Sequence, residues 1–173
     1  MKKLSGTTVN AFFSGMSNGG QILACYTGAV QVYTYTGPHN FYRAAGLNAS
    51  GRLGRAYGGE WWADESVLIE IAQKLQRAEY WMTQSERQKA WPAQYRALTA
   101  LCEDWNDMSE MFKLELPAGE SIEGLAGPAK EQPEFSATAP HGLHNPNRIL
   151  IGGAEQVFFK VKNPLWIQKV QLW

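Results

Sequence analysis

The chain has 173 residues, enough for one domain with a buried core and too few for two ordinary ones. Its 16 basic and 16 acidic residues cancel, which excludes the basic footprint of a general nucleic-acid or anionic-membrane binder and points to a small molecule or a protein as partner. Seven tryptophans and 12% aromatic residues against 18% charged ones suit an aromatic-lined pocket as well as a large core.

Cys25 and Cys102 lie far apart and outside any CxxC or Cys/His spacing, so neither a disulfide scaffold nor a structural zinc site is expected. The opening MKKLSGTTVNAFFSGMSNGG is interrupted by polar residues before an apolar run of useful length builds up, which speaks against a signal peptide. No stretch approaches the ~20 apolar residues of a membrane span.

In chain order, Thr7–Phe13 and Gln21–Tyr26 read as short Gly-bounded strands, and GAVQVYTYTG alternates as a two-faced strand that ends at the turn Gly37-Pro38. NFYRAAG follows as a strand, then the Gly-rich loop GLNASGRLGRAYGG, then a short aromatic strand in EWWAD. The period changes at Asp64, an N-cap candidate, after which Val67, Leu68, Ile71, Leu75 and Ala78 recur at helical spacing. A second helix spans SERQKAWPAQYRALTALCEDWNDMSEM, with Ser85 as its cap and Pro92 as the place where it breaks or restarts. FKLEL is a strand and PAGES a turn, and 121–147 reads as a long Pro/Gly-rich loop of functional interest. RILIGG, QVFFKVK and WIQKVQLW supply the last strands, the latter two joined by a turn at Asn163-Pro164. Strands, then helices, then strands again predict an α+β domain.

Three polar features stand where strands meet Gly-rich segments. Arg43, flanked by Tyr42 and two alanines, can fork onto a phosphate or pin a carboxylate; the alternative is a structural ion pair. Trp61 and Trp62 must point to opposite faces of a strand, so that one packs in the core while the other faces a cleft; the alternative places both in the core. In LIGGAEQVFFKVK, Gly152 and Gly153 let the backbone approach a ligand or take positive φ. Glu155 or Gln156 then projects at the start of the strand, where a carboxylate would stabilise a developing sugar cation and a carboxamide would hold a hydroxyl or orient water. The alternative is a hairpin with a charged edge. His141 and His144 have metal-compatible spacing but no Cys or acidic residue nearby, so they are read as solvent-exposed rather than as metal ligands.

Together FYR, GGEWWADESVL, LPAGESIEGLAGPAKEQ and GGAEQVFF resemble the ADP-ribosyltransferase-like and NAD-glycohydrolase toxin domains of bacteria, over roughly residues 33–170. The resemblance implies NAD as substrate, bound in a cleft between two small β-sheets with an α-rich middle segment. Arg43, with Tyr42 beside it, would contact the dinucleotide's phosphates or ribose. Trp61 or Trp62 would shape the nicotinamide pocket, Gly152 and Gly153 would also bind the dinucleotide, and Glu155 or Gln156 would be catalytic. It further implies an effector, secreted or delivered into a target cell's cytoplasm, with a target macromolecule as acceptor and a cognate immunity protein as partner. The sequence departs from the family in lacking a Ser-Thr-Ser motif, where GEWWA stands instead, and a paired ExE or QxE, since 153–157 read GAEQV. Those departures keep an acceptor-free NAD glycohydrolase in view beside the transferase. A non-catalytic module binding protein or glycan is the rival from another class. Residues 1–29 are either part of the domain or an accessory segment.

Overall fold

The computed structural model describes residues 1–46, 60–78, 81–101, 107–134 and 149–171. Its elements are β1 (Lys2–Leu4), α1 (Val9–Phe12), α2 (Gly19–Leu23), β2 (Gln31–Thr36), β3 (His39–Ala45), β4 (Trp61–Asp64) and α3 (Glu65–Arg77). They continue as α4 (Gln84–Thr99), β5 (Glu110–Leu116), β6 (Ser121–Pro128), β7 (Gln132–Pro133), β8 (Ile149–Leu150), β9 (Glu155–Phe158) and β10 (Ile167–Val170). Eight strands form one antiparallel sheet in the order β1-β2-β6-β9-β4-β3-β5-β10, and β7 and β8 form a separate two-stranded sheet. The α+β class is observed, but the expected pair of small sheets is corrected to one large sheet. The reason is β9, which pairs with β6 on one side (Gly127 opposite Gln156) and with β4 on the other (Ala63 opposite Gln156).

The two-residue turn between β2 and β3 bends this sheet. These strands are neighbours in sequence yet four places apart in the sheet, a separation of about 19 Å were it flat. The rings of Tyr35 and Phe41, one from each strand, nevertheless lie 4.9 Å apart. The sheet therefore curls around an interior that holds Tyr35, Phe41, Trp62, Phe112, Leu114, Val157 and Phe159. Its other face carries the helices. Val67, Leu68, Ile71 and Leu75 of α3 and Tyr95 and Leu98 of α4 cover Ala44, Ala63 and Met111. Ile22 and Tyr26 cover Val32, Leu125 and Phe158. Within residues 1–29, β1 pairs with β2 at the sheet edge and Ile22 and Tyr26 pack in the core.

Two segments expected as strands are helical turns instead. Thr8 caps α1 by accepting from the Ala11 N–H, and Val9, Phe12, Phe13, Ile22 and Leu23 all turn toward the Leu125–Phe158 cluster. Runs of four or five residues are too short to separate a period of 2 from one of 3.6. The opposite error falls on 121–128, expected as loop but observed as β6. The half of that strand from Gly124 to Gly127 is buried on both faces and shows no alternation, and Gly124 sits where a Cβ would come within 2.6 Å of Val157. Helix α4 is capped by Thr83 in a capping box with Glu86, not by Ser85, and runs through Pro92 unbroken. Burial of Tyr95, Leu98 and Thr99 beyond the proline outweighs the ~3 kcal/mol a proline costs inside a helix.

Asp64 caps α3 as the sequence suggests: Oδ1 accepts from Ser66 N–H at 2.9 Å, and Oδ2 lies 2.9 Å from His39 Nε2. Burial pushes this carboxyl's pKa up, but the hydrogen bonds from His39 and Ser66 outweigh it and hold the group below the usual aspartate value. A carboxyl depressed in the folded state adds stability that is fully present above its unfolded pKa of about 4 and is lost as pH falls through the folded value. Urea midpoints of an Asp64→Asn protein should therefore change less with pH below about 4 than those of wild type. Equal slopes would show that Asp64 carries no such linkage.

Candidate functional site

Strand β3 pairs with β5 along its whole length, His39–Ala45, but with β4 only at Phe41–Asp64 and Tyr42–Ala63. Past that point the two strands no longer pair. Arg43 and Ala44 on one side and Trp61 and Trp62 on the other line a cavity of about 270 Å³. The end of α4 closes it with Tyr95 and Thr99, β9 contributes Gln156, and Cys25, Lys130 and Gln132 complete the wall.

Arg43 Nη1 is buried without a hydrogen-bond partner. Burial lowers the guanidinium's pKa, with the Tyr95 phenol offsetting part of that effect. The tryptophans divide as strand geometry requires. Trp62 is a core residue, 2% exposed and stacked on Phe159, whereas Trp61 is half-buried and meets Phe158 and Tyr26 at ring distances of 5.2 and 5.3 Å.

Gln156 is placed by the end of α4. The last carbonyls of a helix lack partners within it, and here the segment leading into β9 supplies them. Gly152 N–H donates to Ala97 O at 2.9 Å, Ala154 N–H to Leu98 O at 3.1 Å, and Gln156 Nε2 to Thr99 O at 2.5 Å. With its amide nitrogen engaged on the helix, Gln156 has Oε1 left as an acceptor at the cavity. Gly152 and Gly153 lie outside the lining; with φ of +65° and +87° they form the turn that brings these donors to the helix.

Glu155 does not line the cavity. As the neighbour of Gln156 it projects from the opposite face of the sheet, where its carboxylate pairs with Lys2. Tyr42 is also outside: its ring packs against the α3–α4 cluster, and its carbonyl accepts from Tyr95 Oη at 3.2 Å.

The charged groups among the described lining residues are Arg43 and Lys130, with no carboxylate between them. Burial raises the pKa of the Cys25 thiol, and nearby Lys130 offsets part of the rise. A thiol so shifted stays protonated near neutral pH and is a poor nucleophile. The wall therefore offers cationic donors, one fixed acceptor and an indole, which suits an anionic ligand with a flat ring.

Cys25, Tyr95, Thr99, Lys130 and Gln132 were not anticipated from sequence, and no local pattern marks them, since strand order and the docking of α4 bring them here. His141, His144 and the Gly-rich loop from 47 to 59 lie outside the described residues. Among the described residues no group of three His, Cys, Asp or Glu could hold a metal ion, and no helix is long and apolar enough to cross a membrane. Comparison with protein-family models, curated proteins and solved structures finds no match to this chain.

Proposed function

We propose that this cavity binds NAD and cleaves its nicotinamide–ribose bond, as an ADP-ribosyltransferase of the bacterial toxin kind or, without an acceptor, as an NAD glycohydrolase. One observation carries the reading. Arg43, Trp61 with Trp62, and Gln156 were each singled out from sequence, and they come from three adjacent strands onto one cavity, where Arg43 Nη1 has no protein partner.

In this reading the Arg43 guanidinium takes a phosphate oxygen. Trp61 flanks the nicotinamide ring, and Gln156 Oε1 accepts from a ribose hydroxyl and fixes the sugar. The bond between C1′ and the ring nitrogen breaks with its electron pair going to nicotinamide, which leaves neutral. Water or a target nucleophile adds to C1′ and gives up its proton to solvent. The contribution of the protein is positioning together with a dipole aimed at the developing positive charge. A cavity of about 270 Å³, just under the usual range of ~300–1,000 Å³ for ligand sites, takes the ring and its ribose and leaves the adenosine half outside. A target macromolecule as acceptor, a cognate immunity protein as inhibitor and action in a target cell's cytoplasm belong to the same proposal.

A second reading, NAD binding without turnover, is favoured by the absence of a carboxylate among the described lining residues. NAD consumption by the purified chain, compared with Gln156→Ala, separates the two.

A further inference from the structure

Lysine side chains at sheet edges ordinarily extend into water. That of Lys2 does not. Its ammonium bonds both carboxylate oxygens of Glu155. It also lies 4.1 Å from the centroid of the Tyr33 ring and 5.8 Å from that of Tyr35. A carboxylate combined with aromatic faces is an arrangement that holds ammonium groups. One wall of this cage is fixed, because Tyr35 is fully buried in the core. The cage is still within reach of solvent, since the Lys2 and Glu155 side chains are 27% and 32% exposed.

The element that delivers Lys2 is a short strand at the edge of the sheet. Strand β1 has three residues paired to β2, and its Lys3 and Leu4 are exposed. Beyond it, the Ser5 and Thr7 hydroxyls donate to the exposed carboxylate of Glu123. A short, largely exposed edge strand belongs to the part of a fold that opens most readily. When it opens, it uncovers at once an unpaired edge of β2 and an empty anionic, aromatic cage.

We propose that the β2 edge together with the Tyr33–Tyr35–Glu155 cage is a docking site for an extended, lysine-bearing segment of a partner protein, closed in the free chain by its own Lys2. Main-chain pairing to β2 supplies sequence-independent affinity, and the cage supplies the requirement for lysine. The site lies on the sheet face opposite Gln156, so it is separate from the cavity proposed to bind NAD. It assigns Glu155 to holding a cation.

The test uses a labelled, acetylated peptide of residues 1–7 and the same peptide with norleucine in place of Lys2. Each is titrated into the full chain as wild type, Lys2→Met and Lys2→Met/Glu155→Gln, with thermal melts as a check on folding. The lysine peptide should bind Lys2→Met about tenfold more tightly than wild type, and about tenfold more tightly than the norleucine peptide does. Adding Glu155→Gln should erase the difference between the peptides. Should Lys2→Met fail to fold, Lys2→Gln carries the same comparison. Equal binding of both peptides, or equal binding to wild type and variant, overturns the proposal. Wild-type dimers that the lysine peptide dissolves would place a second copy of the chain in the slot and overturn the assignment to a foreign partner.

Discussion

An Arg43→Met protein should melt higher than wild type and bind NAD about 10²-fold more weakly. Methionine keeps most of the volume of the arginine stem and removes the buried Nη1 donor that has no partner. Leaving such a donor unsatisfied costs about 1–3 kcal/mol, so a gain of about 1 kcal/mol is expected even after imperfect packing of the thioether. For a chain of this length that is a rise of about 2–4 °C. The opposing movements make the test sharp. An arginine held in a structural ion pair, the alternative weighed from sequence, would destabilise the fold when replaced, because its carboxylate would be left behind. Calorimetric melts and NAD titrations of the same preparation read both quantities. A lower melting temperature with unchanged affinity would show that Arg43 is a structural residue and not a ligand anchor.

Gly152→Ala should cost about 2–5 kcal/mol, and Gly153→Ala only about 1–2 kcal/mol, although both positions have positive φ. The conformational penalty is common to the two. They differ in space: a Cβ at Gly152 would lie 2.5 Å from Ala129 O and 3.0 Å from the Lys130 carbonyl carbon, whereas nothing lies within 4 Å of one at Gly153. Backbone cannot swing aside like a side chain, so Gly152→Ala must displace the turn. The turn carries the Gly152 N–H bond to Ala97 O, and the chain runs on from it to Gln156. Urea unfolding of the two variants should therefore separate them by 1 kcal/mol or more, about what one strained contact costs. Equal losses would mean that the close approach to Ala129 relaxes freely.

Sequence was most informative where the apolar pattern is long and one face is buried. Helix α3 declares itself through Asp64 and the spacing of Val67, Leu68, Ile71 and Leu75, all of which are buried. Strands β2, β3, β4, β5, β9 and β10 overlap the segments expected for them, although β5 starts at Glu110, in a stretch expected as helix. Reading failed where the pattern is short, in α1 and α2, and where both faces are buried, in the second half of β6. Sheet order was not legible at all. A continuous sheet arises because β9 enters between β6 and β4, a pairing between residues far apart in sequence.

The same limit applies to the site. Consecutive strand residues face opposite ways, so only one of Glu155 and Gln156 could enter a given cavity, and which one depends on the register with β4 and β6. That register puts Gln156 in the cavity and sends Glu155 to Lys2. Trp61 and Trp62 were separable in kind for the same reason, but not in direction. Thr99, which orients the Gln156 amide, carries no sequence signal because it acts through a main-chain carbonyl at a helix end.

The most direct measurement is the loss of NAD in a solution of the purified chain, followed beside Gln156→Ala at matched stability. The wild-type chain should consume NAD and release nicotinamide, with the rate about 10²-fold lower for Gln156→Ala. Constant NAD in the presence of wild-type chain, with no saturable binding by calorimetry, would contradict this expectation.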